Sequence, residues 1–199
     1  MPRIHTLRCR CGQLRGSVDL SGLTNRCVCY CSDCQAFVRH IGANDALDGQ
    51  GGTDIVQVRP LNLTFTQGAE QLACIRLTDK GMLRWYSACC RTPVGNMPAD
   101  WRVSFVGLIH SCLDREGPPL DESFGPVSMR VGVKSALGDS KPAASGLLSG
   151  VARAVAMIVS GRLGGAYRVS PFFDRQTGLP IAKPVVLSAR ELAAAKGAT

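Results

Sequence analysis

Apolar and polar residues alternate in short runs over the first 110 residues, and glycine, proline, asparagine and aspartate separate these runs. This pattern is typical of short antiparallel strands joined by turns. A hairpin is predicted where Thr78-Asp-Lys-Gly81 connects two β-rich runs. The predicted extended segments are residues 7–20 (a strand and a turn), 26–31, 55–58, 61–66, 72–77, 82–87 and 101–109.

Helical spacing appears mainly in the second half of the chain. Residues 145–162 carry apolar side chains at positions 147, 148, 151, 154, 155, 158 and 159, which predicts a helix that packs on the core, with a membrane-surface helix as the alternative. Ser188 and Glu191 form the pattern of a capping box, which opens a final helix over residues 189–196.

The remaining segments complete the predicted organisation. Residues 35–41 are predicted as a short helix closed by Gly42, residues 44–54 as a loop, residues 116–126 as a linker and residues 129–133 as a further strand. We therefore predict a mainly β, antiparallel domain over residues 1–114, followed by a linker and a helical C-terminal extension over residues 115–199 that packs on it.

Composition and charge narrow the possible functions. The chain has 199 residues, of which 45% are hydrophobic and 19% charged, so disorder over the whole length is excluded. The formal net charge is +8, but lysine and arginine are scattered, and we expect no nucleic-acid partner. We also expect a cytoplasmic protein with no membrane partner, because neither a secretory leader nor a transmembrane run is recognisable.

Cysteine is the unusual residue, with ten copies, nine of them in the first 90 positions. In a reducing compartment, clustered cysteines more often bind metal than form disulfides. Sulfur atoms that share one zinc ion lie about 3.7 Å apart, so each C-x-C pair must sit in a bend. The clusters are Cys9-Arg-Cys11-Gly12, Cys27-Val-Cys29-Tyr-Cys31-Ser-Asp-Cys34 and Cys89-Cys90.

Counting ligands predicts two zinc sites of different kinds. Cys29, Cys31 and Cys34 supply three thiolates from one short loop, which leaves one coordination position open, as in catalytic zinc sites. Cys9 and Cys11 can be completed from the distant Cys89-Cys90 pair to give a closed structural site.

The cysteines also admit interpretations other than two zinc sites. Cys31 and Cys34 could form a redox dithiol, although no βαβ pattern surrounds them, and an iron–sulfur cluster would need spacings that are absent. Cys74 and Cys112 are predicted as core thiols. Cys27 is either a spare ligand or a core residue.

The cysteine motifs together resemble the glutathione-dependent formaldehyde-activating enzyme family, which includes centromere protein V. The resemblance covers about residues 5–110, and its matching segments are Cys9-Arg-Cys-Gly12, Cys29-Tyr-Cys-Ser-Asp-Cys34, Phe65-Thr-Gln-Gly68 and Arg84-Trp-Tyr-Ser-Ala-Cys-Cys-Arg-Thr-Pro93. It implies a zinc-stapled β-tent fold of antiparallel strands. It also implies structural zinc ligands at Cys9, Cys11 and Cys90, and catalytic zinc ligands at Cys29, Cys31 and Cys34.

The chain departs from the family pattern near the predicted structural site. Ser87 stands where the family has the first cysteine of its late C-x-x-C, and Cys89 has appeared beside Cys90. Arg91 stands where glycine is usual, and Tyr30 where histidine is frequent. The fourth structural ligand is therefore Cys89 or Cys27, or the site has only three.

The resemblance implies a zinc-dependent carbon–sulfur lyase that adds a small-molecule thiol, glutathione or a similar compound, to an aldehyde such as formaldehyde, or reverses the addition. Tyr30 and His40 are the nearest candidates for a general acid, whereas His5 and His110 are expected to be structural. The alternatives are a non-catalytic zinc-stapled scaffold or interaction module and a redox or metal-buffer protein that uses Cys27 and Cys89.

Overall fold

The computed structural model describes residues 3–114 and 116–197. Within them the chain forms eleven strands in two sheets and four α-helices. The strands are β1 (Ile4–Arg8), β2 (Arg15–Asp19), β3 (Asn25–Cys29), β4 (Thr53–Val58), β5 (Leu63–Gln67), β6 (Leu72–Arg76), β7 (Leu83–Ser87), β8 (Pro93–Met97), β9 (Val106–Ile109), β10 (Met129–Val131) and β11 (Val185–Val186). The helices are α1 (Ser32–His40), α2 (Leu120–Phe124), α3 (Leu147–Leu163) and α4 (Ala189–Lys196).

The predicted mainly β, antiparallel architecture with C-terminal helices is confirmed. A small sheet has the order β1-β2-β5, and a large sheet has the order β10-β3-β4-β9-β8-β7-β6-β11. Neither sheet closes into a barrel within the described residues. The predicted hairpin is present as β6 and β7, which pair antiparallel from Leu72 opposite Ser87 to Ile75 opposite Arg84.

Two strand predictions differ from the structure. Residues 101–105 do not extend the strand that was expected over 101–109, and β9 begins only at Val106. The sequence analysis missed β8, because Pro93 and Gly95 are residues that strands usually avoid. Gly95 is needed there, since a Cβ atom at this position would lie 2.9 Å from the carbonyl oxygen of Gly107 on the neighbouring strand.

Segments beyond residue 114 supply both edges of the large sheet. β10 pairs in parallel with β3, and β11 pairs in parallel with β6. These are exceptions to the antiparallel pattern, and they arise because long connections lead into both strands. The division into two domains at residue 114 stays a prediction.

The main core lies under the central strands. Trp85 and Phe172 are fully buried with their ring centroids 5.1 Å apart, and Phe65 meets Phe172 edge to face at 5.6 Å. Phe172 follows α3 in the chain, so the C-terminal region contributes directly to this core. Such aromatic contacts stabilise the packing beyond the area that they bury.

α4 and α3 differ in how they pack on the rest of the protein. α4 opens with the predicted capping box, in which the Ser188 side chain accepts from the Glu191 backbone N–H, and it packs on α1. The helix predicted over residues 145–162 is α3, which contacts β3 and β10 and buries Gly150, Met157 and Gly161, while much of its apolar surface stays exposed. None of the helices in the described part of the chain combines the length and apolarity needed to cross a bilayer.

Candidate metal centres

The first cluster brings four sulfur atoms together from two distant turns. Those of Cys9, Cys11, Cys89 and Cys90 all lie within 4.8 Å of one another. Cys9 is 3.5 Å from Cys11 and 3.7 Å from Cys89, and Cys11 is 3.3 Å from Cys89. A tetrahedral zinc site with Zn–S bonds of about 2.3 Å has sulfur separations of about 3.7 Å, so these four residues fit one metal ion.

Local hydrogen bonds hold the first of these turns. Gly12, in the left-handed region with a φ of 76°, donates its N–H to the carbonyl oxygen of Cys9 at 2.9 Å. Leu14 donates its N–H to the sulfur of Cys9 at 3.3 Å. These two hydrogen bonds fix the bend in which the sulfurs of Cys9 and Cys11 approach each other.

The turn after β7 shows what Ser87, Cys89 and Arg91 do in the structure. Ser87 is buried, and its hydroxyl lies 3.4 Å from the sulfur of Cys90 and accepts the N–H of Thr92. Arg91 has a φ of 55°, the left-handed region that favours glycine. Ser87 therefore supports the turn, and Cys89 brings the fourth sulfur.

Hydroxyl groups also affect the acidity of this cluster. Burial acts to raise the pKa of Cys90, but hydrogen bonds from Ser87 and Thr92 and contacts with Cys11 outweigh it and lower the pKa to about 5. A thiol with a lowered pKa supplies the thiolate that a metal ion requires.

The second cluster consists of Cys29, Cys31 and Cys34, whose sulfur atoms also lie within 4.8 Å of one another. Cys29 ends β3, Cys31 is the N-cap of α1, and Cys34 lies in the first turn of that helix. The Cys34 N–H donates to the sulfur of Cys31 at 3.4 Å. The helix N-terminus thus faces the sulfurs, and its positive end favours thiolates.

Charge and hydrogen bonds lower the pKa of Cys31. The largest contributions come from the thiols of Cys29 and Cys34, followed by the Cys34 backbone N–H and the positive charge of Arg84. The neighbouring thiols raise the pKa of Cys34, and the Cys31 thiol likewise raises that of Cys29, so the negative charge of the group is concentrated on Cys31.

The second cluster opens on a cavity of about 420 Å³. Arg84 and Asn96, which face each other across β7 and β8, line this cavity. The Nη1 atom of Arg84 donates to the Oδ1 atom of Asn96 at 3.1 Å and lies 3.8 Å from the sulfur of Cys34. The Nδ2 atom of Asn96 is 4.0 Å from the same sulfur.

Arg84 is an unusual cation because only 4% of its surface is exposed. Within the described residues it forms no ion pair with a carboxylate, and its Nε atom is buried without a hydrogen-bond partner. Its guanidinium lies 5.7 Å from the centroid of the Phe37 ring. A buried cation needs a compensating negative charge, and the nearest source is the thiolate cluster.

A sequence profile described as "Family of unknown function (DUF6151)" matches residues 1–184. The chain belongs to this family. Among curated proteins the comparison finds no match. A crystal structure of a Rhodobacter sphaeroides protein aligns over 59% of this chain and 94% of its own, with 20% identity and a TM-score of 0.39.

The family description assigns no chemistry, so the placement of the individual residues carries the argument. Cys27, Cys74 and Cys112 are buried and lie outside both groups of neighbouring sulfurs in the described part of the chain. Burial raises the pKa of Cys27 and of Cys74 to about 12 each. These three positions therefore resemble core thiols rather than ligands.

The residues considered as general acids lie away from the cavity. Tyr30 interacts with Asp48 and Arg130, and neither Tyr30 nor His40 is among the described residues that line the cavity. His5 is buried, as expected for a structural histidine.

The sequence analysis missed Arg84 and Asn96. The available signal was a charged residue between two large apolar residues, Leu83 and Trp85, within a predicted strand. A charge in that setting is either buried with a partner or at a functional site.

Proposed function

We propose that this member of the family is a zinc enzyme with carbon–sulfur lyase chemistry, which adds a thiol to a small aldehyde or reverses that addition. The observation that carries the proposal is the second cluster, in which three sulfurs from Cys29, Cys31 and Cys34 meet at the wall of a cavity that holds a buried arginine. The resemblance of the cysteine motifs to formaldehyde-activating enzymes supports the choice of reaction.

Zinc is the metal that the ligands favour. Sites made only of thiolates select soft metals such as zinc or iron–sulfur clusters, and the spacings typical of ferredoxins are absent. The first cluster offers four sulfurs and suits a closed structural site, whereas the second offers three and suits an open site. Zinc at the open site would lower the pKa of a bound thiol, so that its sulfur adds to the aldehyde carbon while the carbonyl oxygen takes up a proton.

Arg84 has a clear role in this proposal. A divalent ion with three thiolates carries a net negative charge, and an incoming thiolate would add another. Arg84, within 3.8 Å of the Cys34 sulfur, would offset part of this charge, as would the N-terminus of α1. Lys80 also lines the cavity and would favour a thiol with carboxylate groups, such as glutathione.

The alternative is a zinc-stapled scaffold without catalysis. The first cluster favours it, because its four sulfurs would complete a metal site that has no position for a substrate. Under this alternative the second cluster would serve only to fix the start of α1.

Compartment and partners belong to the same proposal. A protein with ten free cysteines that uses two thiolate sites needs a reducing compartment, and we therefore propose the cytoplasm. The proposed partners are a small-molecule thiol and an aldehyde.

The experiment combines metal analysis with turnover of thiol and aldehyde pairs. Wild type should bind two zinc ions and form the adduct of glutathione with formaldehyde, measured by NMR. Cys34→Ser should lose one zinc ion and the activity. Arg84→Met should lower kcat/KM at least about tenfold and weaken zinc binding at the open site, with partial recovery in Arg84→Lys.

The control is Cys74→Ala, which changes a buried thiol outside both clusters and should keep metal and activity. Two bound zinc ions without turnover of any thiol and aldehyde pair would contradict the lyase. A single zinc ion, held by the first cluster, would support the scaffold.

A further inference from the structure

α3 turns its small residues toward the body of the protein. A Cβ atom on Gly150 would lie 2.4 Å from the Met129 sulfur, and one on Gly161 would lie 2.6 Å from the Ser104 side chain. These glycines allow a close approach of the helix, and Met157 between them is fully buried. Apart from Met157 and the half-buried Ile158, the large apolar residues of the helix consequently face away from the core.

The outer face of α3 is apolar along its whole length of about 25 Å. Leu148 is 88% exposed, Val155 52% and Leu163 84%. Val151, Val155 and Val159 follow one another at spacings of four residues, so they lie along one side of the helix. An exposed apolar stripe of this size on a folded protein marks an interaction surface.

The charged residues in the segment that carries this stripe are all positive. No aspartate or glutamate occurs from residue 140 to residue 173, whereas that segment contains Lys141, Arg153, Arg162 and Arg168. All four are exposed, and none forms an ion pair with any carboxylate in the part of the chain that the structure describes.

A cationic aromatic cluster stands at the C-terminal end of α3. The rings of Trp101 and Tyr167 lie 5.1 Å apart. The guanidinium groups of Arg162 and Arg168 lie 5.9 Å and 5.7 Å from the Tyr167 ring, and that of Arg102 lies 6.0 Å from the Trp101 ring.

The loop that carries Trp101 and Arg102 also contains one carboxylate, that of Asp100. Asp100 accepts the backbone N–H of Arg102 at 2.9 Å, and it makes no ion pair in the described residues. The three guanidinium groups therefore keep their charge available beside two aromatic rings, a combination that suits the boundary between water and lipid headgroups.

We propose that the outer face of α3 binds the surface of an anionic lipid bilayer, with the helix lying in the plane of the interface. The apolar stripe would enter the headgroup boundary, and the flanking lysine and arginine side chains would contact lipid phosphates. A second copy of the chain is a poorer match, because it would bring two segments of the same positive charge together. A membrane-surface helix is the alternative that the sequence leaves open for residues 145–162, and the exposed apolar face of α3 favours it over the expectation of no membrane partner.

The test is cosedimentation of the zinc-loaded full chain with vesicles. The two compositions are phosphatidylcholine alone and an equal mixture of phosphatidylcholine and phosphatidylglycerol. Wild type should partition at least about tenfold more strongly to the mixed vesicles, and added salt should weaken this binding. The double variant Val155→Asp, Val159→Asp should lose at least about tenfold in partitioning while keeping its melting temperature.

Two further variants separate the apolar contribution to vesicle binding from the electrostatic one. Ile181→Asp changes an apolar residue of similar exposure outside α3 and should leave binding unchanged. Arg162→Gln with Arg168→Gln should reduce binding to the mixed vesicles and weaken its salt dependence, because two of the cations near the stripe are removed. Equal binding to both compositions, or no binding by folded wild type, would overturn the proposal. So would a dimer in sedimentation velocity that the aspartate variant abolishes without any binding to vesicles.

Discussion

Replacing Cys9 with serine tests whether the first cluster holds distant parts of the chain together through a metal ion. Cys9 and Cys89 are 80 residues apart in sequence, and their sulfurs are 3.7 Å apart in space. By the chain-entropy relation used for disulfides, a link that closes a loop of this length stabilises the folded state by about 4.5 kcal/mol. Losing it should lower the melting temperature by about 9–18 °C in a chain of this size.

The second cluster provides the internal comparison. Cys29 and Cys34 are separated by only five positions, and the same relation gives about 2 kcal/mol for such a short loop. Cys31→Ser should therefore lower the melting temperature by only about 4–8 °C. The two variants should each lose one zinc ion but differ clearly in stability.

The assay is thermal unfolding followed by circular dichroism, with zinc content measured on the same samples. Cys74→Ser is the matched control, since it places a hydroxyl at a buried position outside both clusters. If Cys9→Ser keeps its zinc and its melting temperature, no metal joins these turns. If Cys31→Ser unfolds as early as Cys9→Ser, the second cluster is structural as well.

Three further predictions concern residues that are not metal ligands in either cluster. Cys74→Ala and Cys112→Ala should each keep two zinc ions, and loss of a full equivalent in metal analysis would mean that the ligands are misassigned. Burial lowers the pKa of His5 in the folded state below its ordinary value of 6.5. As the pH falls, His5 is therefore protonated in the unfolded chain before it is protonated in the folded chain, and the free energy of unfolding should decrease below pH 6.5. Urea unfolding of His5→Phe should show a smaller loss between pH 7 and pH 5, and an unchanged slope would contradict this. Arg91→Gly should gain about 0.5–1 kcal/mol in the same assay, because glycine adopts the φ of 55° without strain, whereas a loss would show that the arginine side chain stabilises the turn.

Features with a local cause could be predicted from the sequence. The bend at Cys9-Arg-Cys11-Gly12 and the start of α1 at Cys31 depend on residues within a few positions of one another. The capping box at Ser188 and Glu191 is equally local. In each case one turn or one helix end determines the geometry, so residue type and spacing are sufficient.

Features set by strand register could not be predicted in the same way. Arg84 meets Asn96 because β7 and β8 pair with a bulge between Trp85 and Tyr86. No periodicity of either segment specifies that register, and β8 itself was not recognised. The orientation of α3 could not be predicted either. The spacing of its apolar residues identifies a helix, but these residues surround the helix almost completely and do not indicate which side is buried. The buried side is set by the close contacts of Gly150 with Met129 and of Gly161 with Ser104.

Cys89 shows why one general rule gave an uncertain answer. Adjacent side chains diverge on an extended strand, so residue type and spacing alone leave open whether two neighbouring cysteines can share one metal ion. Residues 88–90, however, form a turn that follows the end of β7 at Ser87, and Arg91 reverses the chain direction in the left-handed region. In this turn the sulfurs of the two adjacent residues Cys89 and Cys90 come within 3.9 Å of each other. The rule holds for strands and does not apply in this turn, which ends in the left-handed backbone of Arg91.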